Sequence, residues 1–432
     1  MRVLVAGAGI GGLATALALT QRGIEVQLFE SAASMRPLGV GINLLPHAAA
    51  ELQALGLLDS IAAQGVRTAE LCYFNRHGQP IWREPRGLDA GYPVPQVSVH
   101  RGLLQRALLE AVRSRLGDAA LHLGHALESF EPAGSRVRAR FRLRDGGEIR
   151  SAEGDLRVCA EGDLLVGADG IHSVVRRHFH PDEGPPRWNG QVLWRATSLF
   201  PPFLTGRSMF MAGSRARKFV AYPISAPDSS GHCVVNWVAE LDRSAEPAPA
   251  REDWNREGRC EDFAPAFADW RFDWLDVPAL IDAAEAVYEF PMVDRDPLPV
   301  WSHGRVTLLG DAAHPMFPIG SNGASQAILD ARGLADALAE ERDVLAALAR
   351  YEAQRRPATA AIVLSNRRHG PEIVLDMAEQ RAPQGFARVE DVFAPGELEG
   401  IAASYKQIAG FALPGKEARK EADTSRPTRG EA

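Results

Sequence analysis

The chain has 432 residues, of which 46% are hydrophobic and 24% are charged, a composition typical of a globular protein with two or three domains. Its formal net charge at pH 7 is −7 and its basic residues are scattered along the chain, which argues against nucleic acid or an anionic membrane as the main partner. The four cysteines lack metal-ligand spacing and no apolar run reaches about 18 residues, so the sequence predicts neither a metal site nor a membrane span.

The first predicted elements are a strand, a glycine turn and a helix. Residues 2–6 form an apolar run, and apolar positions at helical spacing follow Gly7, Gly9 and Gly12. In such a turn the first glycine permits the tight bend, the second lets a pyrophosphate approach the backbone, and the third lets the helix pack on the strand. The free N–H groups of the helix N-terminus favour phosphate. Because the strand starts at once, we expect no signal peptide and a cytoplasmic location.

Glu30 ends the second predicted strand, 18 residues after Gly12. A carboxylate in that place accepts both hydroxyls of an unphosphorylated ribose and disfavours a 2′-phosphate. The segment therefore predicts FAD or NAD, rather than NADP, as the dinucleotide. A chance glycine-rich turn is the alternative, and it is the weaker one because strand, helix and acid are in register.

After residue 70 the alternation of strand and helix gives way to other patterns. A hairpin is predicted around residues 76–79, an amphipathic helix begins at His100, and a second hairpin has its turn at 145–147. Residues 161–177 again predict a buried strand that enters a helix.

The next segment is rich in β-strand signals. From Trp188 to Leu241, short runs of Val, Phe, Tyr and Trp are broken by Pro, Gly and Ser, which predicts an antiparallel sheet. Residues 262–285 are predicted to be helical, the parallel-sheet pattern returns at Val306, and another helix starts near Asn322. We therefore expect a discontinuous nucleotide-binding domain with a second domain inserted into it.

Two further strands end in a glycine and an aspartate. Asp169 precedes Gly170 before a helix, and Gly310 precedes Asp311 before a Pro/Gly-rich loop. A carboxylate at the carboxyl edge of a sheet can bind a polyol hydroxyl, while the adjacent glycine leaves room for the ligand. Taken singly, each aspartate is more commonly a helix N-cap or a turn residue.

The motifs GxGxxG, ADG and LGDAAH, the last followed by PxGxNGA, occur in the order found in the class A flavin-dependent aromatic hydroxylases, the para-hydroxybenzoate hydroxylase group. The chain resembles this family from residue 1 to about residue 370. The stretches RPLGVGIN, HRGLL and FPMVDRDPLPVW resemble its phenazine-hydroxylating members in particular. The resemblance implies an α/β fold, with a discontinuous Rossmann-like FAD-binding domain and an inserted α+β substrate domain that carries an antiparallel sheet.

On this basis we expect a division of the chain into four parts. They are the FAD-binding domain at 1–72, 97–185 and 290–365, the substrate-binding domain at 73–96 and 186–289, a C-terminal helical segment at 366–415, and a disordered tail at 416–432.

The resemblance also implies a set of residues around a non-covalently bound FAD. They are Gly7, Gly9, Gly12 and Glu30 at the ADP half, Arg101 at the ribityl–phosphate region, Asp169 near the pyrophosphate, Gly310 and Asp311 at the ribityl chain, Gly39, Val40 and Gly41 beside the isoalloxazine, and Pro318, Gly320, Asn322 and Gly323 at its pyrimidine side. The helix N-terminus at 322–323 would direct N–H groups to the flavin N1–C2=O and stabilise negative charge there. Arg36 either faces FAD or is a surface charge, and Arg101 could instead be a solvated arginine.

The chain has no second GxGxxG, which agrees with a family in which NADH or NADPH binds transiently while the flavin swings outward. In that family, reduced flavin takes up dioxygen to give a C4a-hydroperoxide that attacks an electron-rich ring. The resemblance thus implies hydroxylation, with or without decarboxylation, of a planar aromatic or N-heteroaromatic molecule such as a phenazine, by a monomer or homodimer. A flavin oxidase and a non-catalytic flavin-binding redox protein are the alternatives.

Candidate substrate-pocket residues are aromatic or soft side chains near the predicted sheet and loop: Trp194, Phe219, Tyr222, Trp237, Met292, Phe317 and Pro318. For each of them an ordinary core position is the competing interpretation. Arg195 and Arg217 could pair with a substrate carboxylate. His314 is expected to be structural, and the sequence identifies no general base.

Overall fold

The computed structural model of the protein describes residues 1–35, 40–143, 157–247 and 256–413. Its strands are, in chain order, β1 (Arg2–Ala6), β2 (Glu25–Phe29), β3 (Gly41–Leu44), β4 (Val66–Thr68), β5 (Glu70–Phe74), β6 (Pro80–Pro85), β7 (Gln96–His100), β8 (Leu121–His122), β9 (His125–Ala133), β10 (Arg136–Leu143), β11 (Arg157–Gly162), β12 (Leu164–Gly167), β13 (Arg187–Phe200), β14 (Ser208–Ser214), β15 (Arg217–Pro223), β16 (Cys233–Asp242), β17 (Arg271–Phe272), β18 (Leu275–Asp276), β19 (Ala284–Asp294) and β20 (Val306–Leu308). Its α-helices are α1 (Ile10–Thr20), α2 (Pro46–Ala54), α3 (Leu58–Ala63), α4 (Arg101–Leu116), α5 (Val174–Phe179), α6 (Val277–Asp282), α7 (Gly323–Glu340), α8 (Val344–Asn366), α9 (Ile373–Arg381) and α10 (Glu397–Ala409).

A five-stranded parallel sheet contains the predicted nucleotide-binding turn. Its strand order is β20-β12-β1-β2-β8, and each neighbouring pair is parallel. Helix α1 packs on β1 and β2 and against α4 and α7, while Phe141 of β10 stacks on Phe29 of β2. Val3, Leu4 and Val5 are fully buried, as expected for a parallel strand covered on both faces. The sheet brings the carboxyl ends of β1, β12 and β20 to one edge, although β12 and β20 follow β1 far along the chain.

A seven-stranded sheet has the order β19-β13-β16-β15-β14-β5-β6. Every neighbouring pair is antiparallel except β14 and β5, which run parallel. The strands predicted between residues 188 and 241 are confirmed as β13 to β16. The domain limits predicted at 72/73 and 289/290 fall inside β5 and β19, and the division into domains stays a prediction.

The two faces of this sheet are covered by different parts of the chain because side chains alternate along each strand. The inner face carries Leu193, Tyr222 and Val238, which pack with Phe317 and with residues of α9. The outer face carries the other set of alternating residues and packs against the segment from 263 to 281.

The prediction of helix over residues 262–285 is wrong for most of its length. Within that range the only α-helix is α6, preceded by single-turn 3₁₀ helices and the two-stranded β17–β18 ladder. Pro265 and Pro278 limit continuous helix to short pieces, and Phe263, Phe267 and Trp270 are buried against the outer face. The turn predicted at 145–147 and the tail predicted at 416–432 lie outside the described residues.

The last part of the described chain, residues 366–413, contains α9 and α10. Helix α10 packs against α8, and its Tyr405 is almost completely buried. In the part of the chain that the structure describes, none of the helices has the length and apolar character needed to cross a membrane.

Candidate active site

The turn between β1 and α1 leaves open space beside a helix N-terminus. A Cβ on Gly7 (φ +104°) would lie 2.3 Å from the Ala168 carbonyl oxygen, and a Cβ on Gly12 would lie 1.9 Å from that of Gly7. By contrast, apart from the adjacent residues, no atom of the described chain lies within 4 Å of a Cβ built on Gly9. Gly9 is also the residue before α1, and it has no side chain with which to cap this helix. The first N–H groups of α1 are therefore available to a ligand at Gly9.

Glu30 lies directly after β2 and holds this turn in place. Its Oε2 accepts the Ala8 N–H at 2.8 Å, and its Oε1 accepts the Ala32 N–H at 2.8 Å and the Ser31 hydroxyl at 3.0 Å. A carboxylate has about four acceptor positions, so these bonds leave capacity for a ligand hydroxyl. The structure thus places the acid at the carboxyl edge of the sheet, beside the glycine turn.

Asp169 follows β12, and its Cα lies 3.1 Å from the position that a Cβ on Gly7 would take. Its Oδ2 accepts the Val174 N–H at 2.7 Å, so one oxygen caps α5, the use that the sequence left open as an alternative. Its Oδ1 is buried and has no hydrogen-bond partner among the described residues. Burial raises the pKa of this carboxyl. One carboxylate oxygen is therefore left for a ligand at the glycine turn.

The turn after β20, which begins at Gly310, rests on a buried cluster of charged groups. Asp330 Oδ2 accepts the Gly310 N–H at 3.1 Å and lies 2.5 Å from His314 Nε2, while Oδ1 accepts Arg355 Nε–H at 2.7 Å. Burial acts to raise the pKa of Asp330, but His314 and Arg355 outweigh it and lower that pKa to about 2. His314 thus pairs with Asp330 inside this cluster, and its structural role stays a prediction.

Asp311 lies on the accessible side of the same turn. Its side chain is exposed, yet burial among protein atoms raises the pKa of its carboxyl, with His314 and Arg101 acting in the opposite direction. A carboxylate that contacts solvent but is desolvated by protein atoms around it lines a cleft. Arg101 begins α4, and its N–H donates to the Val40 carbonyl oxygen at 2.9 Å. Asp311, Arg101 and Val40 are thus brought to one cleft.

Gly41 connects this cleft to the seven-stranded sheet. Its N–H donates to Asn236 Oδ1 at 2.7 Å, and its carbonyl oxygen accepts Arg195 Nη2–H at 3.0 Å. A Cβ on Gly41 would lie 2.6 Å from the Asn236 Cβ, so only glycine fits. Arg195 Nε and Asn236 Nδ2 are buried without a hydrogen-bond partner in the described part of the chain. Arg36 and Gly39, both predicted here, lie outside the described residues.

A second helix N-terminus lies at the loop before α7. Gly320 (φ +68°) belongs to a short 3₁₀ turn, Asn322 is buried, and Pro318 is exposed. The Asn322 side chain does not cap α7, which begins at Gly323. Outside its own helix and the adjacent residues, no atom in the part of the chain that the structure describes lies within 4 Å of a Cβ built on Gly323. The helix therefore presents its first N–H groups to open space, as α1 does.

The structure separates the aromatic residues that the sequence grouped as one pocket. Tyr222 and Met292 lie on the inner face of the seven-stranded sheet, and Phe317 of the loop belongs to the same buried cluster. Trp194 and Trp237 are on the outer face, where Trp194 stacks on another ring and Trp237 Nε1–H donates to a serine hydroxyl at 2.9 Å. Phe219 and Arg217 are on the outer face too, and the guanidinium of Arg217 lies 5.1 Å from the Trp270 ring centroid. These four residues are packing residues of the outer layer.

Sequence reasoning missed several polar residues of this region. Asn236 bonds to Gly41, while Asn366 and Tyr405 bond to the loop before α7. All three hydrogen bonds are long-range, and none of these residues belongs to a motif. His47 is the second residue of α2, and its Nε2 lies 3.2 Å from Gln326 Nε2 of α7. Its Nδ1 is buried without a partner among the described residues, and burial lowers the pKa of the ring to about 3.

Comparison with known proteins identifies the family. The profile of the FAD binding domain family matches residues 1–365. Phenazine 1,6-dicarboxylic acid hydroxylase PhzS of Lysobacter antibioticus is 46% identical, over 94% of this chain and 96% of its own length. The chain belongs to the FAD binding domain family and is a flavin-dependent monooxygenase.

Two further relatives support the assignment. The 3-amino-4-hydroxybenzoate 2-monooxygenase of Streptomyces cremeus is 35% identical, over 87% of this monooxygenase and 88% of its own length. The structure of Klebsiella pneumoniae HpxO complexed with FAD and uric acid has a TM-score of 0.70 at 24% identity, covering 98% of this chain and 96% of that one, which supports the fold. The α/β fold, the FAD cofactor and the aromatic monooxygenase activity predicted from sequence are confirmed.

The residues of the monooxygenase fit FAD on structural grounds. The space at Gly9 faces the uncapped N-terminus of α1, where a pyrophosphate is favoured. The buried, unpartnered oxygen of Asp169 and the accessible carboxylate of Asp311 are acceptors for ligand hydroxyls. The uncapped N-terminus of α7 offers donors to an electron-rich ring edge.

Proposed function

We propose that this monooxygenase hydroxylates a planar N-heteroaromatic acid of the phenazine class, with or without loss of the carboxyl group. The observation that carries the proposal is Arg195, a half-buried cation that contacts Gly41 and whose buried Nε–H has no hydrogen-bond partner among the described residues. The relationship to a phenazine dicarboxylic acid hydroxylase over almost the whole chain supports this substrate class.

We place FAD along the carboxyl edge of the parallel sheet. Its contacts in this proposal are Gly7, Gly9, Gly12 and Glu30 for the ADP half, Asp169, Arg101, Gly310 and Asp311 for the pyrophosphate and ribityl chain, Val40, Gly41, Pro318, Gly320, Asn322 and Gly323 for the isoalloxazine, and Arg36 and Gly39 from outside the described residues. When bound, FAD would accept two electrons from NADH or NADPH and supply the reaction with dioxygen that hydroxylation requires. The nicotinamide co-substrate binds transiently, since the sequence contains one dinucleotide motif.

We place the aromatic ring of the substrate at the apolar cluster on the inner face of the sheet, which excludes water and orients the ring. Leu193, Tyr222 and Met292 form the sheet side, and Phe317 forms the loop side, all within one buried cluster. A flat aromatic substrate between these side chains is stabilised by apolar burial without a specific polar contact. Exclusion of water from this site suppresses side reactions that would release peroxide instead of hydroxylated product.

A carboxylate of the substrate pairs with Arg195. Burial lowers the pKa of this guanidinium and the nearby Arg101 lowers it further, while Tyr222 opposes the shift. An anion beside Arg195 therefore relieves an unfavourable electrostatic situation. Arg195 donates to the Gly41 carbonyl oxygen through Nη2, and its Nε–H has no hydrogen-bond partner among the described residues, which leaves this donor of the planar fork for a carboxylate.

The experiment is a panel of substrates tested with two arginine variants. NAD(P)H consumption and product mass are measured with phenazine mono- and dicarboxylic acids, the parent phenazine, and hydroxybenzoates. We expect Arg195→Gln to raise KM for the carboxylated phenazines by roughly 10- to 100-fold, the value of a charge-assisted hydrogen bond, and to leave KM for the uncharged ring unchanged. Arg217→Gln, on the outer face, is the matched control. Turnover of hydroxybenzoates alone would contradict the proposed class, and stoichiometric peroxide without product would favour an oxidase.

A further inference from the structure

Two residues outside the family match hold the loop that precedes α7. The family profile ends at residue 365, and the next residue, Asn366, donates from Nδ2 to the Phe317 and Ile319 carbonyl oxygens, both at 3.1 Å. Tyr405 of α10 adds its hydroxyl, which accepts Asn322 Nδ2–H at 2.8 Å. The same hydroxyl lies 3.2 Å from the Ile319 carbonyl oxygen and 3.0 Å from Asn366 Oδ1, and its single proton goes to one of them.

The ring of Tyr405 fits between two glycines that have positive φ. A Cβ on Gly320 (φ +68°) would lie 2.0 Å from the Tyr405 hydroxyl oxygen, and a Cβ on Gly370 (φ +46°) would lie 2.9 Å from Cε2 of the ring. Within the loop, Ser321 also has a positive φ, of 58°, which is unfavourable for a residue with a side chain and persists only where neighbours enforce it. The buried bonds of Tyr405 and Asn366 are the contacts that enforce this loop conformation.

We propose that Tyr405 and Asn366 are positioning residues for the flavin, so that the C-terminal segment contributes to the cofactor site. They fix the loop from 317 to 322, and this loop sets the direction of the free N–H groups at the start of α7. The inference rests on the proposed placement of the isoalloxazine at Gly323. Donors aimed at the electron-rich ring edge favour reduced over oxidised flavin, and a loop that is no longer fixed weakens that preference.

Simple anchoring of the C-terminal segment is the competing explanation, and the chain offers a control for it. Tyr92 Oη–H donates to the Phe411 carbonyl oxygen at 2.5 Å, and Lys406 forms an ion pair with Glu84. Both contacts fasten the same segment without touching the loop from 317 to 322. Tyr92→Phe therefore removes one hydroxyl group that anchors this segment. Tyr405→Phe also removes one hydroxyl group, but that group contacts the loop.

The test compares Tyr405→Phe with Tyr92→Phe in the full-length protein reconstituted with FAD and without substrate. The measurements are the two-electron midpoint potential of the bound flavin, its visible spectrum, the Kd for FAD, and the Tm of the apoprotein. We expect Tyr405→Phe to reduce the preference for reduced flavin about tenfold, which lowers the potential by about 30 mV, and to raise the Kd several-fold. Tyr92→Phe should leave both values as in the native protein.

An unchanged potential and spectrum in Tyr405→Phe, with a Tm loss like that of Tyr92→Phe, would overturn the inference. If Tyr405→Phe yields no holoprotein, Asn366→Ser is measured in its place with the same expected and contradicting results. The measurements use no substrate, so a wrong substrate class leaves them unaffected. Conversely, hydroxylation of a phenazine acid by an enzyme whose potential does not respond to these changes would contradict this inference alone.

Discussion

Asn236 of β16 accepts the backbone N–H of Gly41 at 2.7 Å and joins the seven-stranded sheet to the cofactor cleft. Arg195, on the same face of that sheet, holds the carbonyl oxygen of the same glycine. The peptide groups on both sides of Gly41 are therefore fixed by residues of the proposed substrate-binding layer. A movement of this layer is transmitted directly to the segment proposed to lie beside the isoalloxazine.

The glycine turn provides a prediction that separates folding from cofactor binding. Gly12→Ala places a methyl group 1.9 Å from a carbonyl oxygen, so we expect it to lower the free energy of unfolding by at least about 1–3 kcal/mol. The methyl group of Gly9→Ala meets no other described residue beyond its chain neighbours, so this change should leave the apoprotein stability unchanged while weakening FAD binding. Thermal unfolding of the apoproteins and FAD titration measure the two effects. Equal FAD affinity in Gly9→Ala and native protein would show that the pyrophosphate does not bind in this space.

Asp311→Ala tests the proposed contact with the ribityl chain. The carboxylate is accessible inside the cleft, and loss of a hydrogen bond to a charged group costs roughly 1.5–3 kcal/mol. We expect weaker FAD binding by that amount, measured by the recovery of flavin fluorescence on dilution. The exposed Asp59, in the first turn of α3, provides the control variant Asp59→Ala. An Asp311→Ala protein that binds FAD as tightly as this control would make Asp311 a turn residue.

The Asp330 cluster predicts a specific dependence of stability on pH. The pKa of this carboxyl is lowered to about 2 in the folded protein, so its contribution is fully present above the unfolded pKa of about 3.9 and is lost as pH falls towards 2. Urea unfolding at pH 5 and pH 3 should show that the native protein loses roughly 1 kcal/mol more than Asp330→Asn over this interval. Parallel losses in the two proteins would mean that Asp330 is not ionised in the way described.

The two faces of the seven-stranded sheet should respond differently to substitution. Trp237 is fully buried on the outer face, so Trp237→Phe should cost roughly 1–3 kcal/mol of stability and leave KM unchanged. Tyr222→Phe, on the inner face, should change KM or kcat with little effect on Tm. Urea unfolding and steady-state kinetics on both variants check this. A large KM change in Trp237→Phe would indicate that this tryptophan belongs to the substrate pocket after all.

Local patterns in the sequence predicted the parts of the fold that depend on neighbours along the chain. The apolar run before Gly7 and the strand before Gly310 are such parts. For Trp194 and Trp237, strand periodicity shows which residues share a face, but the sequence does not say which face meets the cleft. The helix predicted over 262–285 failed because large aromatic residues there are buried against a sheet that the local sequence does not reveal.

The missed site residues share one physical property. Asn236, Asn366 and Tyr405 act through single hydrogen bonds to residues distant in sequence, such as the bond from Gly41, 195 positions away from Asn236. A polar residue that makes one long-range bond leaves no periodicity and no local motif. A buried asparagine or tyrosine in an apolar stretch is the only signal, and it does not name its partner.

The most direct measurement is the fate of isotopically labelled dioxygen during turnover. The FAD-loaded enzyme is supplied with NAD(P)H, ¹⁸O₂ and a phenazine carboxylic acid, and products are analysed by mass spectrometry while peroxide is quantified. We expect one labelled oxygen atom to enter the ring for each NAD(P)H consumed, with little peroxide formed. Stoichiometric hydrogen peroxide with no labelled product, across phenazine acids and other aromatic substrates, would contradict it.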